Sequence, residues 1–114
     1  MAKKNAKKPE PSDRDDGPFI VSYTREQAIA DGVLIPVGLV GTQRGRFIGV
    51  CFTAHLFEAF KDPKKRRRLV EEGLDALRKP DPEDTPHRRL RVLRGKYWVI
   101  LDGDGITFLY PEDY

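Results

Sequence analysis

The amino-acid sequence predicts an α+β fold, with a C-terminal antiparallel β-meander and two to three short helices packed on one face of it. Three observations lead to this expectation. Short β-rich runs separated by tight-turn sequences fill the chain after Leu90. Helix-capping residues precede helical patterns at Thr24, Thr53 and Asp62. The 114 residues are enough for one compact domain and no more.

The first seventeen residues differ from the rest. After Met1 they contain no large apolar side chain, so burial cannot offset the entropy that ordering them would cost. We therefore expect a disordered tail over residues 1–17 and a single α+β domain over residues 18–114. That domain begins with PFIVSY, a short β-rich run over residues 18–23.

The stretch YTREQAIADGVLIPV predicts a helix, a stop and a strand. Thr24 and Gln27 have the spacing of a capping box, in which each side chain bonds the backbone of the other residue. Gly32 suits the left-handed position that ends a helix. Residues 33–37 then predict a strand, and Pro36 indicates an edge position or an early end.

The next segment predicts a loop, a strand and a second helix. Residues 38–45 contain three glycines and are typical of a loop, whereas residues 46–52 form a β-rich run. Thr53 is placed to cap a helix that extends through Phe60. Such a short helix must be buried by the rest of the fold to be stable.

A third helix is expected from Asp62-Pro63, an N-cap followed by proline at the first helical position, to about Lys79. Gly73 lies on the same side as the apolar residues and would permit close packing, at some cost in helix propensity. The residues expected to be buried are Leu69, Val70, Leu74 and Leu77.

The end of the chain predicts the meander. Residues 80–86 contain three prolines and form a loop. Gly95-Lys96 is expected as one turn and DGDG at 102–105 as another. A calcium loop is the alternative for DGDG, but position 106 is Ile where a third oxygen ligand would be needed. The three strands are expected at 90–93, 97–101 and 106–110.

Charge is segregated along the chain. Residues 61–70 carry six positive charges and one negative charge, and residues 87–96 carry five positive charges and no negative one. Six acidic residues and two basic ones lie between these blocks, at 71–84. Lysines and arginines in the first turns of a helix oppose its macrodipole, which costs about 0.3–1 kcal/mol each. An acidic partner would explain the first block better than helix stability does.

Phosphate is the commonest acidic partner, so nucleic acid is the first choice. An acidic protein surface, the acidic end of this chain or an ordinary solvated helix face are the alternatives. Arginines near an aromatic on a sheet can bind single strands by charge and stacking, although an ordinary amphipathic sheet has the same pattern. A core position is favoured for Trp98, and stacking stays open for Tyr97. The candidate binding residues are Lys64, Lys65, Arg66, Arg67, Arg68, Arg89, Arg91 and Tyr97.

Catalytic patterns are missing from the sequence. His55 and His87 are the two histidines, and neither has a serine or cysteine in a recognisable nucleophile pattern. No phosphate-binding glycine loop or metal-ligand spacing occurs. Cys51 is the one cysteine, which excludes an internal disulfide and indicates a reducing compartment. We expect a cytoplasmic protein that is not an enzyme, with no cofactor, metal, small-molecule substrate or membrane partner.

The stretch YTREQAIADGVLIPV also resembles the opening of a family of small proteins of unknown function encoded on bacterial plasmids and other mobile elements. RFIGVCFTAHLFEAF is similar to that family's strand and Thr-capped helix, and VILDGDGITFLYPED to its closing hairpin. KKRRR is not part of the family pattern. The opening matches are Tyr23, Thr24, Arg25, Gln27, Ala28, Ile29, Asp31, Gly32 and Leu34.

The resemblance implies a similar fold and a mobile-element origin, and it carries over no catalytic residue. We therefore expect an accessory or regulatory protein that acts by binding a macromolecule, with nucleic acid as the first choice. A protein-binding modulator of a host or defence component is the alternative.

Overall fold

The computed structural model describes residues 24–114. The predicted disordered tail at 1–17 and the predicted β-rich run at 18–23 lie outside the described residues. The described part is α+β, as the sequence predicts, with one five-stranded sheet and three α-helices among residues 24–114.

The first helix, α1 (Arg25–Ala30), begins with the predicted capping box. Thr24 accepts a hydrogen bond from the Gln27 amide, and the Gln27 side chain accepts one from the Thr24 amide. Gly32 follows the helix with φ of +77°, a left-handed conformation that suits glycine. Both predictions about this segment are confirmed.

Strand β1 (Leu34–Gly41) is longer than the sequence predicts. It is an edge strand, in agreement with Pro36, but it continues beyond an irregularity in register between Pro36 and Gly38. The prediction of a loop over 38–45 is therefore wrong for its first half. A bulge lets the strand absorb Pro36 and resume its pairing with β2.

Strand β2 (Phe47–Thr53) is followed directly by α2 (Ala54–Ala59) and then by α3 (Pro63–Arg78). The Thr53 hydroxyl accepts from the Leu56 amide, and the Asp62 carboxylate accepts from the Lys64 amide. Each helix thus begins at its predicted cap.

The meander consists of β3 (Arg88–Leu93), β4 (Tyr97–Asp102) and β5 (Gly105–Leu109), and a 3-10 turn follows at Pro111–Asp113. DGDG forms the predicted turn between β4 and β5. The turn between β3 and β4 is displaced by one residue from the prediction. Arg94 and Gly95 occupy its central positions with φ of +55° and +63°, the combination found in type I′ turns.

The strand order is β1-β2-β5-β4-β3. Three of the four neighbouring pairs are antiparallel, and the fourth, β2 with β5, is parallel. Val50, Cys51 and Phe52 pair with Ile106, Thr107 and Phe108. The sheet is therefore mixed, because its two antiparallel parts are joined by a parallel pair.

Helices α2 and α3 cover one side of the sheet, here called the helix face. The core lies between them and this face, where Phe52, Phe108, Leu56, Leu69 and Val99 are fully buried. The opposite side, the far face, carries α1, since the Arg25 guanidinium donates to the Thr107 hydroxyl over 2.8 Å.

Candidate functional site

The first two turns of α3 present four positive side chains to solvent. Lys64, Lys65, Arg67 and Arg68 are exposed, and no acidic residue lies in the first turn of the helix. Within residues 24–114 these four side chains make no ion pair or hydrogen bond. Their charge is therefore available to a molecule outside the chain.

Arg66, the fifth predicted residue of this block, is held by its own fold. Its Nη1 donates to the Phe60 carbonyl over 2.9 Å and to the Lys61 carbonyl over 3.3 Å. The guanidinium carbon lies 5.0 Å from the centre of the Phe57 ring. Arg66 thus ties the start of α3 to the end of α2, with fewer free donors than its neighbours.

The turn between β3 and β4 lies beside the basic part of α3, and an ion pair between Arg94 and Glu72 joins the two. Glu72 accepts from Nε and Nη2 of Arg94 over 3.0 and 2.6 Å. This hydrogen bonding lowers the pKa of Glu72 against an opposing effect of burial, and the charges of Arg94 and Arg68 lower it further. Glu72 therefore lies within electrostatic reach of both arginines.

Lys96 extends the same region. Its Nζ lies 5.6 Å from the centre of the Tyr97 ring, and that ring packs against Phe60 at the start of the basic block. Sequence reasoning missed both turn residues, although they belong to the basic run at 87–96. We call this region the basic surface, and it consists of Lys64, Lys65, Arg67, Arg68, Arg94 and Lys96.

Arg89 and Arg91 lie elsewhere, at the C-terminal end of α3. Arg91 donates to the Ala76 carbonyl over 3.1 Å, to the Lys79 carbonyl over 2.7 Å and to both carboxylate oxygens of Asp84 over 2.7 and 2.8 Å. Arg89 donates to the Leu77 carbonyl over 2.8 Å. The last carbonyls of a helix have no intrahelical partner, and cations there complement its dipole.

The structure therefore does not bring the two predicted basic blocks together. A helix of this length spans about 24 Å, and the two blocks occupy its opposite ends. Arg91 is 10 % exposed in its side chain, so few of its atoms can reach a partner. Nor does the first block fold back onto the acidic end of the chain, where Asp113 instead binds Thr53 and His55.

Tyr97 is also placed differently from the prediction. It is 8 % exposed, and its ring lies between Phe60 at 5.4 Å and Tyr110 at 5.6 Å. A base cannot stack on it without displacing part of the core. Trp98, for which a core position was favoured, is instead half-buried on the far face beside Tyr114.

The two histidines and the cysteine do not form a reactive group in the described chain. His55 Nδ1 lies 3.0 Å from Asp113, whose other oxygen accepts from the Thr53 hydroxyl over 2.9 Å. This contact ties α2 to the C-terminal turn. Burial raises the pKa of the Cys51 thiol, and the nearby Arg25 guanidinium opposes this effect only in part. Among residues 24–114, no group of His, Cys, Asp or Glu side chains is placed to hold a metal ion.

None of the helices in residues 24–114 is long and apolar enough to cross a membrane. Comparison with protein-family models, with curated proteins and with solved structures found no match to this chain. The resemblance to small mobile-element proteins accordingly stays a prediction.

Proposed function

We propose that this protein is a small accessory or regulatory protein, of mobile-element origin and without enzymatic activity, that binds nucleic acid through the basic surface. The observation that carries the proposal is the set of four exposed, unpaired cations in the first turns of α3. There they repel one another and oppose the helix dipole, so they cost stability in the free protein. A phosphate backbone would relieve both effects.

The surroundings of these cations favour contact with phosphates over stacking on bases. Tyr97 is buried and Phe57 lies beneath the Arg66 guanidinium, so the surface offers no free aromatic ring. Single-strand binding proteins usually combine a basic groove with exposed aromatic side chains. The exposed basic side of a helix without such rings fits the backbone of a duplex, bound with little dependence on sequence.

Fluorescence anisotropy with a labelled DNA duplex at several salt concentrations tests the proposal. We expect affinity to fall as salt rises, because binding releases counterions from the duplex. The double variant K65Q/R68Q should bind the duplex more weakly. Its plot of log affinity against log salt concentration should also be shallower, by about 0.9 in slope for each phosphate that is no longer neutralised. A single strand of the same length should bind less tightly than the duplex.

A matched control is available in R44Q/R46Q. It removes the same charge from the turn between β1 and β2, which lies next to the turn between β4 and β5. Tyr97, beside the start of α3, is at the other end of β4, so the control site is distant from the basic surface. If both double variants reduce binding equally, attraction is due to net charge alone and the basic surface is not a site. Absence of duplex binding at low salt would remove the nucleic-acid proposal altogether.

A protein-binding role is the second candidate, and one observation favours it. Leu39 and Phe47 are 72 % and 73 % exposed on the far face of the β1–β2 hairpin. Exposed apolar side chains close together are common where proteins associate. Capture experiments from a bacterial lysate, with and without nuclease, separate the two roles. The protein-binding role would be supported by a partner whose capture does not depend on nucleic acid and so persists after nuclease treatment. That partner should be captured by K65Q/R68Q but not by L39S/F47S.

A further inference from the structure

Strand β1 contains no charged or polar side chain, although it forms one edge of the sheet. Its sequence is LIPVGLVG, and the nearest charged residues along the chain are Asp31 and Arg44. Strand β3, at the other edge, carries Arg88, Arg89 and Arg91. Charged side chains protect an exposed strand edge against pairing with another chain. The sheet is therefore protected by charge at β3 and not at β1.

The second half of β1 is the part that can pair. Pro36 has no amide to donate, and the bulge beside it interrupts the ladder, so the first half is a poor template. Beyond the bulge, the Thr42 amide donates to the Arg46 carbonyl across the hairpin over 2.8 Å. Backbone groups alternate in direction along an antiparallel strand, so those of Leu39 and Gly41 point away from β2. Among residues 24–114, β1 has β2 as its one neighbouring strand.

The far face of this half carries large side chains next to glycines. Leu39 lies opposite Gly49 of β2, and Gly41 lies opposite Phe47. The Phe47 ring extends over Gly41, since a Cβ on that glycine would be 3.6 Å from Cε1 of the ring. Leu39 and Phe47 are both mostly exposed. The edge thus presents a projecting leucine and, two residues away, a gap at Gly41 that ends at the Phe47 ring.

A second copy of β1 fits this pattern when the two strands pair antiparallel about a twofold axis at Val40. Leu39 of each copy then lies opposite Gly41 of the other copy and packs against the Phe47 ring that extends over it. On the helix face, Val40 of one copy meets Val40 of the other. Val40 and its neighbour Ile48 are apolar and only partly buried in the free chain. Because each copy supplies both the leucine and the gap, the edge is complementary to itself.

We propose that the protein forms a symmetric dimer through residues 38–41 of β1, in which the two five-stranded sheets become continuous. Four strand residues extend about 13 Å, so the interface is far smaller than the roughly 800 Å² that each partner buries in a stable complex. The dimer is therefore weak and depends on protein concentration. A second copy, and not a host protein, covers Leu39 and Phe47. The proposal does not depend on the nucleic-acid role, since the basic surface belongs to α3 and the β3–β4 turn.

Sedimentation velocity of the full-length chain, at concentrations up to about 1 mM, tests the dimer. Leu39→Lys places a charge on the edge and should raise the dissociation constant of the dimer about tenfold or more. Val92→Lys is the matched control, because it makes the same kind of change at an exposed position on β3, and should leave the dissociation constant unchanged. Gly41→Val should also weaken the dimer, because its side chain fills the gap while making ordinary contact with Phe47 in the monomer.

Hydrogen exchange tests the pairing itself. The amides of Leu39 and Gly41 should exchange more slowly as protein concentration rises, by about tenfold where the dimer predominates. A chain that stays monomeric at the highest concentration would overturn the proposal, and so would a dimer in which these two amides stay unprotected. A dimer that Val92→Lys weakens as much as Leu39→Lys would place the contact elsewhere. Ever larger species would show head-to-tail association in place of a closed pair, and would overturn the proposal as well.

Discussion

Replacement of Gly73 by alanine should lower the free energy of unfolding, although alanine is the better helix former. A Cβ at position 73 would lie 2.4 Å from both Cε2 and Cζ of Phe108 and 3.4 Å from Cγ2 of Val99. The Phe108 ring is fully buried and lies against Phe52, with ring centres 5.2 Å apart. Because the ring is buried in this way, the Cβ can be accommodated only if α3 or the ring shifts.

The magnitude follows from two opposing effects. Overpacking of a well-filled core usually costs about 1–3 kcal/mol. Alanine recovers about 0.8–1.0 kcal/mol of helix propensity relative to glycine. Because the clash involves two ring atoms, we expect the packing cost to exceed the gain, with a net loss of about 1 kcal/mol.

Urea denaturation of Gly73→Ala measures this loss, and Glu71→Ala, an exposed substitution in the same helix, serves as its control. Phe108→Leu removes the clashing ring atoms. In that background Gly73→Ala should cost less or become stabilising, with a coupling energy of about 0.5–3 kcal/mol. A Gly73→Ala protein more stable than the unaltered chain would show that α3 does not pack against β5 as closely as these distances require.

Three further predictions concern the contacts that hold the ends of the elements. Arg91→Ala should lower the melting temperature, because Ala76, Lys79 and Asp84 lose a charged donor. Its affinity for a DNA duplex should be unchanged. A loss of affinity without a loss of stability would show that Arg91 does contact the nucleic acid. Thr24→Ala should cost roughly 0.5–2 kcal/mol in urea denaturation, and no change would contradict the capping box. Burial would raise the pKa of Asp113, but hydrogen bonds from His55, Thr53 and the Tyr110 amide lower it overall. The ionised Asp113 carboxylate should therefore stabilise the fold above the ordinary carboxyl pKa, and this stabilisation should be lost as the pH falls through the lowered value. In urea denaturation at several pH values, Asp113→Asn should make the free energy of unfolding less dependent on pH in the acid range.

The sequence predicted best those features that depend on a few neighbouring residues. Thr24, Thr53 and Asp62 cap their helices as expected, because a cap needs a side chain and an amide two or three positions away. Gly32 ends α1 as expected, because this helix end depends only on one residue that can adopt a positive φ. Gly73 was also identified correctly, since the periodicity of α3 places it among the apolar residues that pack on the sheet.

Predictions failed where the environment of a side chain depends on distant parts of the chain. Alternation correctly placed Arg89 and Arg91 on one side of β3, but it could not show that the C-terminal end of α3 lies over that side. Alternation also could not show which side of β4 faces the helices. The sequence favours a core position for Trp98 and leaves Tyr97 open for stacking, whereas Tyr97 is buried in the core and Trp98 is half-buried on the far face. The β3–β4 turn was misplaced because Arg94 adopts a positive φ, which is uncommon for a residue other than glycine.

The parallel pairing of β2 with β5 has a consequence for the speed of folding. Val50 and Ile106 are more than fifty residues apart along the chain, yet they meet at the centre of the sheet. The β1–β2 hairpin and the β3–β4–β5 meander each close through short connections and can form early, whereas joining them requires closure of a long loop that contains α2 and α3. Folding should therefore be slower than that of a helical bundle of similar size, with the joining of the two halves as its slow step.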